Sequence, residues 1–301
     1  MVRRSGGREP TVSPGESPGK LYVVGTPIGN LEDITFRAIR TLKEVDLIAC
    51  EDTRRTQQLL NHYSIQTPTL SYHEHNELTR APELIIQLEE GSHIALVSDA
   101  GMPVISDPGY RLVHLAIRHN IPVIPVPGAS AFLAALAAAG LPVDRFRFLG
   151  FLPSRKSQRR SALEELKGAT KTLVFYEAPH RAVETLQDVC EILGDVPLVV
   201  AREVTKIHEE FLRGTALEIV ARLKKKPVKG EMTVLVAPQL APALPASSGS
   251  AILAAIEQVM AAEGLDERAA LKAVARQRGI SKSEAYRQLQ SEKASLRSSR
   301  D

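Results

Sequence analysis

Residues 94–109 read IALVSDAGMPVISDPG, and this stretch decides the fold class of the 301-residue chain. Ile94–Val97 is a short apolar run, the pattern of a strand buried on both faces. The loop that follows, Ser98 to Gly109, contains Gly101, Pro103, Pro108 and Gly109. It is longer than a simple turn needs, and its small residues let a ligand approach backbone N–H and C=O groups. Tyr110–His119 then reads as a helix and Pro122–Val126 as the next strand.

The alternation extends in both directions. Upstream, Leu21–Val24, Leu47–Cys50 and Thr69–Tyr72 read as strands, and Ile34–Val45, Thr53–His62 and Pro82–Glu90 as helices. Strands alternating with helices imply an α/β unit with a mostly parallel sheet, which binds ligands at the carboxyl ends of its strands. Downstream, a second unit begins near Phe146. Phe148–Phe151, Thr172–Tyr176, Leu198–Ala201, Ile207–Leu212 and Met232–Val236 read as strands, close enough in sequence for antiparallel pairing. Lys156–Leu166, with Ser154 as its cap, Pro179–Leu193 and Ala216–Lys225 read as helices. Pro238–Ser250 is a Pro/Ala/Ser linker. Beyond it Ala251–Ala262, Glu267–Arg278 (capped by Asp266) and Lys282–Leu289 (with a Ser281/Glu284 capping box) form either a helix-turn-helix or a plain three-helix bundle.

Hydrophobic residues make up 44% and charged residues 24%, which excludes wholesale disorder, a collagen repeat or a disulfide scaffold. Two cysteines, Cys50 and Cys190, read as reduced thiols of a cytoplasmic protein. The Gly/Ser/Pro/Arg-rich residues 1–19 read as a disordered tail without a secretory signal. The uncharged stretch Asn120–Val143 is broken by proline and glycine, and its apolar core, Ala131–Ala139, is far short of the roughly 20 residues of a membrane span. The net charge of +3 hides an asymmetry: residues 21–150 are net acidic and the rest net basic. This points to an anionic partner for the later part.

Four other loops draw attention. VGTPIGNL, residues 24–31, is neither GxGxxG nor a Walker A loop, which disfavours a dinucleotide or P-loop site. VPGAS, residues 126–130, lacks the GxSxG pattern of a hydrolase elbow. ACEDTR, residues 49–54, places two carboxylates and an arginine at a strand end. FYEAPHR, residues 175–181, gathers Glu177, His180 and Arg181 at a helix start.

Taken in order, VGTPIGNLEDI, ACEDTR, SDAGMPVISDPG, VPGAS, FYEAPHR and GEMTVLV resemble the ribosomal RNA small subunit methyltransferase I family of the tetrapyrrole methylase superfamily. The resemblance covers about residues 20–237. It implies an α/β, two-lobed, tetrapyrrole-methylase-like (class III methyltransferase) fold with a small C-terminal all-helical domain. The implied boundaries are an N-terminal lobe over 20–145, a second lobe over 146–237, a linker over 238–250, helices over 251–292 and a tail over 293–301. It also implies S-adenosyl-L-methionine as cofactor, a homodimer, and 2′-O-methylation of a cytidine ribose in the decoding region of 16S rRNA in the small ribosomal subunit. Gly25, Thr26 and Pro27 would line the cleft. Asp99, Ala100, Gly101 and Met102, with Gly128, Ala129 and Ser130, would meet the cofactor, and Glu177, Ala178 and Thr233 would close over it from the second lobe. The first loop departs from the GxGxGxP form of tetrapyrrole enzymes, which argues against a tetrapyrrole substrate.

For the ribose proton, the residues suggest Glu51 and Asp52 as the base, with Arg54 orienting them. The basic run Arg155, Lys156, Arg159 and Arg160, and a second at Lys224, Lys225, Lys226 and Lys229, suggest a phosphate-binding rim. Two other readings stand beside this one. One is a small-molecule methyltransferase of the same superfamily. The other is a DNA-binding regulator that uses residues 266–290.

Overall fold

The computed structural model describes residues 18–225, 229–239, 252–278 and 280–298. The N-terminal tail through residue 17, Lys226, most of the linker and Gly279 lie outside the described residues. By its internal contacts the chain forms two compact units, Met1–Gln239 and Leu240–Asp301.

The larger unit begins with five strands: β1 (Leu21–Val24), β2 (Leu47–Cys50), β3 (Thr69–Ser71), β4 (Ile94–Val97) and β5 (Val123–Val126). They form one sheet in the order β3-β2-β4-β1-β5, and every pairing is parallel. The side-chain period of two explains why β4 is apolar throughout. Ile94 and Leu96 face the helices α3 (Glu77–Glu89) and α4 (Tyr110–Arg118). Ala95 and Val97 face α1 (Phe36–Glu44) and α2 (Thr53–His62). Each fully buried aliphatic side chain contributes about 1.5–3 kcal/mol. The chain leaves β1 toward one edge of the sheet and β4 toward the other, although these strands are neighbours. Their carboxyl ends therefore open a crevice.

The second sheet has the order β6-β7-β10-β8-β9, from β6 (Phe146–Phe151), β7 (Thr172–Glu177), β8 (Pro197–Arg202), β9 (Glu210–Thr215) and β10 (Met232–Val236). Only β6 and β7 pair in parallel; the other pairings are antiparallel, as the short connections suggest. One face carries α6 (Lys156–Glu164), α7 (Ala182–Leu193) and α8 (Ala216–Leu223). The other is covered by α5 (Ala131–Ala139), whose Ala135, Leu136 and Ala139 pack on Val174, Val199, Ala201 and Leu235. Alanine's small side chain lets α5 sit close to the sheet, and the Arg213 guanidinium donates to the Ala138 carbonyl at the helix end (2.6 Å). The alanine-rich helix is thus the joint between the sheets.

Three of the elements that differ from the sequence reading do so for identifiable local reasons. α3 starts at Glu77, with Pro82 inside it. The Asn76 carbonyl holds that first turn by accepting from Thr79 N–H, Arg80 N–H and the Thr79 hydroxyl, while Pro82 has no N–H to offer the Leu78 carbonyl. α7 starts at Ala182 rather than Pro179, because the Glu177 carboxylate binds Ala178 N–H and the Arg181 guanidinium and holds the intervening turn. β9 starts at Glu210 rather than Ile207, because the Glu209 carboxylate takes the Thr205 N–H (2.7 Å) and keeps residues 203–209 in a loop.

The basic run at α6 also requires a correction. Arg159 is 1% exposed and binds Asp188 through Nε and a terminal nitrogen, both at 2.8 Å. Arg160 binds the other Asp188 oxygen (2.8 Å) and Glu191. Arg159 therefore does not belong to an open phosphate-binding rim, while Arg160, partly exposed, is already paired with two carboxylates. Arg155 and Lys156 remain exposed.

The smaller unit holds α9 (Ile252–Glu263), α10 (Glu267–Gln277) and α11 (Lys282–Ser298) around Ile252, Ile256, Leu271, Val274 and Leu289. Glu292 accepts from the N–H groups of Ile252 and Leu253, so α11 runs well past Leu289 and caps α9.

Arg159→Ala would leave Asp188 buried and short of a partner. Denaturant unfolding is expected to show a loss of about 3 kcal/mol or more, whereas Arg155→Ala should change stability by less than about 0.5 kcal/mol.

Candidate active site

The loops after β1 and β4 are clipped together. Thr26 N–H donates to the Gly101 carbonyl (2.9 Å), and Gly101 N–H returns the bond to the Thr26 carbonyl (3.1 Å). The buried Thr26 hydroxyl also donates to the Ser98 carbonyl (3.2 Å). Beside this clip the first loop meets the loop after β5. A Cβ built on Gly25 would lie 2.7 Å from the Gly128 Cα and 2.7 Å from the Met102 sulfur. Only glycines allow these loops to touch.

A cavity of about 320 Å³ opens above these loops, between them and the second sheet. Asp99, Ala100, Gly101, Met102 and Ser130 line it from the first lobe, and Glu177, Ala178 and Thr233 from the second. Gly25, Thr26, Pro27, Gly128 and Ala129 are not part of the lining; Gly25, Thr26 and Gly128 build its floor from behind. The sequence reading missed Arg55, Asp107, Phe151, Tyr176, Glu203 and Lys206, which also line the cavity. Asp107 lay within the loop already singled out, whereas Glu203 and Lys206 sit on the β8–β9 loop, whose placement depends on the second sheet.

The two loops that face each other across the cavity contain strained backbone. Val104 and Ser106 have φ of 75° and 63° in one; Glu203 and Thr205 have 50° and 69° in the other. Non-glycine residues rarely hold such angles, and they concentrate where a ligand site must be preorganised.

Carboxylates dominate the electrostatics. Glu177 is 1% exposed; its Oε1 accepts from Ala178 N–H (2.7 Å) and from Arg181, while Oε2 is buried without a hydrogen-bond partner. A buried carboxylate oxygen in a cavity wall needs a donor, from water or from a ligand. Asp107 is pushed up to about 6, by burial first and then by the charges of Glu51 and Asp99, against a lowering hydrogen bond from Ser98. Burial and the charges of Asp99 and Glu74 also raise Glu51, which does not line the cavity.

Asp52 and Arg54 do different work from that read in the sequence. Asp52 caps α2 and binds the Arg54 guanidinium at 3.1 and 2.8 Å, and these hydrogen bonds hold its carboxyl down at about 2. Its N–H donates to Asp99 Oδ1 (3.1 Å). Arg54 lies outside the cavity lining, 88% exposed; its neighbour Arg55 reaches Asp99 at 3.1 Å and lines the cavity.

A parallel sheet with an open crevice, joined through one helix to a mixed sheet that roofs a loop-lined cavity, defines an α/β methylase architecture. The family profile described as Tetrapyrrole (Corrin/Porphyrin) Methylases matches residues 20–220. The chain is 52% identical over 273 residues to the ribosomal RNA small subunit methyltransferase I of Halalkalibacterium halodurans, covering 90% of this chain and 94% of that one. It is 53% identical over 217 residues to the protein of the same name from Thermotoga maritima, covering 72% and 97%. The uroporphyrin-III C-methyltransferase of Thermus thermophilus in complex with S-adenyl homocysteine shares the fold, with a TM-score of 0.52 and 21% identity over 72% of this chain and 97% of that one. The chain therefore belongs to the tetrapyrrole methylase family, and within it to the ribosomal RNA small subunit methyltransferase I family.

The raised Asp107 has a consequence for stability. The folded protein binds its proton more tightly than the unfolded chain, so Asp107 costs stability as pH rises from about 4 through 6. Asp107→Asn is expected to raise Tm at pH 7.5 and to give no gain below pH 4. A Tm difference independent of pH would contradict the assignment.

Proposed function

We propose that this protein transfers a methyl group from S-adenosyl-L-methionine to the ribose 2′-oxygen of a cytidine in the decoding region of 16S rRNA, within the small ribosomal subunit. We read it as a cytoplasmic homodimer of two α/β lobes, 20–145 and 146–237, with a helical domain over 251–292. The observation that carries the reading is the 52% identity, over 90% of the chain, with a relative named ribosomal RNA small subunit methyltransferase I.

The cavity fits such a cofactor. Its volume of about 320 Å³ is within the range of small-molecule sites. Glu177 Oε2 offers an acceptor for an amino or hydroxyl group, and the carboxylates of Asp99, Asp107 and Glu177 suit a positively charged sulfonium. Ala100, Gly101, Met102 and Ser130 would hold the cofactor from one lobe, with Ala178 and Thr233 opposite. Bound, the sulfonium supplies an activated methyl group with its own leaving group.

The chain's remaining tasks are alignment and proton acceptance. Loops clipped at Thr26–Gly101 would help to orient the acceptor ribose, and orientation of this kind is worth up to roughly 7–11 kcal/mol of barrier in well-oriented systems. Asp107 would accept the ribose proton: it lines the cavity, and burial and the charge of Glu51 push its carboxyl up to about 6. Asp52, tied to Arg54, is a far weaker base. Glu51, from the sequence-based pair, does not line the cavity, and its charge helps to raise Asp107.

The reading is tested with small subunits that lack the modification, incubated with labelled cofactor and digested for nucleoside mapping. Label is expected in 2′-O-methylcytidine; label on a base, or none, would refute the reading. The rate should rise with pH and level off above about 6–7. Asp107→Asn should lower kcat by about 10²–10⁴-fold, and near-normal turnover of that variant would exclude Asp107 as the base.

A further inference from the structure

One aromatic ring on the cavity wall is left open to solvent. Phe151 ends β6, lines the cavity and is 56% exposed. Phe36 and Phe146 are the other exposed phenylalanines among the described residues, and neither lines the cavity. A bulge turns Phe151 there. β6 pairs with β7 at Phe148–Val174 and again at Phe151–Tyr176, three steps on one strand against two on the other. In an unbroken strand Phe148 and Phe151 would face opposite sides of the sheet. With the bulge both face the α5 side, where Phe148 stacks on Phe132 and Phe151 meets the Tyr176 ring (5.4 Å between centroids). Gly150, within the bulge, has φ of 63°, and a Cβ there would lie 3.2 Å from the Ser106 hydroxyl oxygen. On the other side the buried Leu152 anchors the chain, its carbonyl accepting from Arg181 (3.0 Å). An exposed ring is thus held in a fixed place, next to the loop that carries Asp107.

The surroundings limit what the ring would take. Ile105, 45% exposed, brings a second apolar side chain to the cavity from the Ser98–Gly109 loop. The cations of the lining are already engaged, Lys206 with Glu203 and Glu231, and Arg55 with Asp99. With Asp107 also in the lining, the wall disfavours a phosphate and suits an uncharged, flat group. The acceptor nucleotide supplies one. To bring its 2′-oxygen up to the cofactor between the lobes, it must part from its neighbours in the RNA, and its base loses its stack. Aromatic side chains replace such a stack when single-stranded RNA is bound. Burial, against a hydrogen bond to the Phe132 backbone, and then the charges of Asp107 and Glu231 push the Tyr176 phenol up. The ring pair therefore lies within electrostatic reach of the carboxyl that would accept the ribose proton. We propose that Phe151, backed by Tyr176, is the stacking platform for the unstacked cytosine of the acceptor nucleotide. The proposal rests on the rRNA methyltransferase reading above and adds to it a binding site for the base.

The test compares wild-type protein with Phe151→Ala, Phe151→Leu and Phe151→Tyr on small subunits lacking the modification, with Phe36→Ala as a control expected to match wild type. For Phe151→Ala the subunit KM is expected to rise by ~5–150-fold, the range of one lost base–aromatic stack. Its kcat should stay within about threefold, since a stack kept from substrate to transition state binds both alike. Affinity for S-adenosylhomocysteine and Tm should be unchanged. The slope of log affinity against log salt should also be unchanged, because a stack releases no counterions. Phe151→Tyr should keep the wild-type KM, and Phe151→Leu should behave like Phe151→Ala, because leucine restores apolar bulk without a flat face. If Phe151→Ala does not fold, the leucine and tyrosine variants decide by the same criterion. A wild-type KM for Phe151→Ala or Phe151→Leu, with wild-type protein active on the same subunits, would overturn the platform alone. A KM rise matched by an equal loss of S-adenosylhomocysteine affinity would also overturn it, since the ring would then serve the cofactor. Wild-type protein that leaves the rRNA unlabelled would overturn the functional reading and the platform with it.

Discussion

The exchanged hydrogen bonds between Thr26 and Gly101 are the constraint on which the site depends. They close the crevice where neighbouring parallel strands send their chains in opposite directions, and they hold the Ser98–Gly109 loop over it. The contact of Gly25 with Gly128 and Met102 then brings the third loop against the first. Any side chain at either glycine would part these loops. With the floor fixed in this way, the Ala-rich helix after Gly128 leads directly onto the second sheet and fixes the roof relative to the floor. One hydrogen-bonded pair, one glycine contact and one small-residue helix thus set the dimensions of the cavity.

The chemistry follows from where that geometry leaves carboxylates. Glu177 is buried because β7 ends at the cavity wall, and only one of its oxygens finds protein donors. Asp107 sits near Asp99 and Glu51 in a half-buried setting, so that these carboxyl groups resist ionising together. Asp52, a few residues away in space, faces solvent with an arginine bound to it and behaves in the opposite way. Aspartates on adjoining loops are therefore shifted in opposite directions, according to burial and partner.

Much of the fold was legible in the sequence. β1, β2, β4, β10 and α2 have the bounds that apolar runs and caps suggested, because each is set by local pattern. The Ser98–Gly109 loop was legible as a ligand loop because its length and glycine content exceed what a turn needs. The β8–β9 loop was not: Ile207, at 98% exposure, resembles a strand residue in the sequence, but the Glu209 carboxylate takes the Thr205 N–H and the Glu203 carbonyl takes the Lys206 N–H, which holds the segment in a turn. Arg159 shows a different failure. Adjacent basic residues read as one patch, yet helical periodicity places Arg159 on the same face as the buried Leu163, and there Asp188 receives it. The spacing held that information; what it lacked was the partner, 29 positions away.

The central claim is that the loops clipped at Thr26–Gly101 and the wall at Glu177 together hold an S-adenosylmethionine-type ligand. A crystal structure of the protein with S-adenosylhomocysteine tests it most directly. The account predicts the ligand in the cavity between the sheets, with a donor atom within hydrogen-bond distance of Glu177 Oε2 and its body against Gly101 and Met102. A ligand seated elsewhere, or one in the cavity that leaves Glu177 Oε2 without a partner, would contradict it.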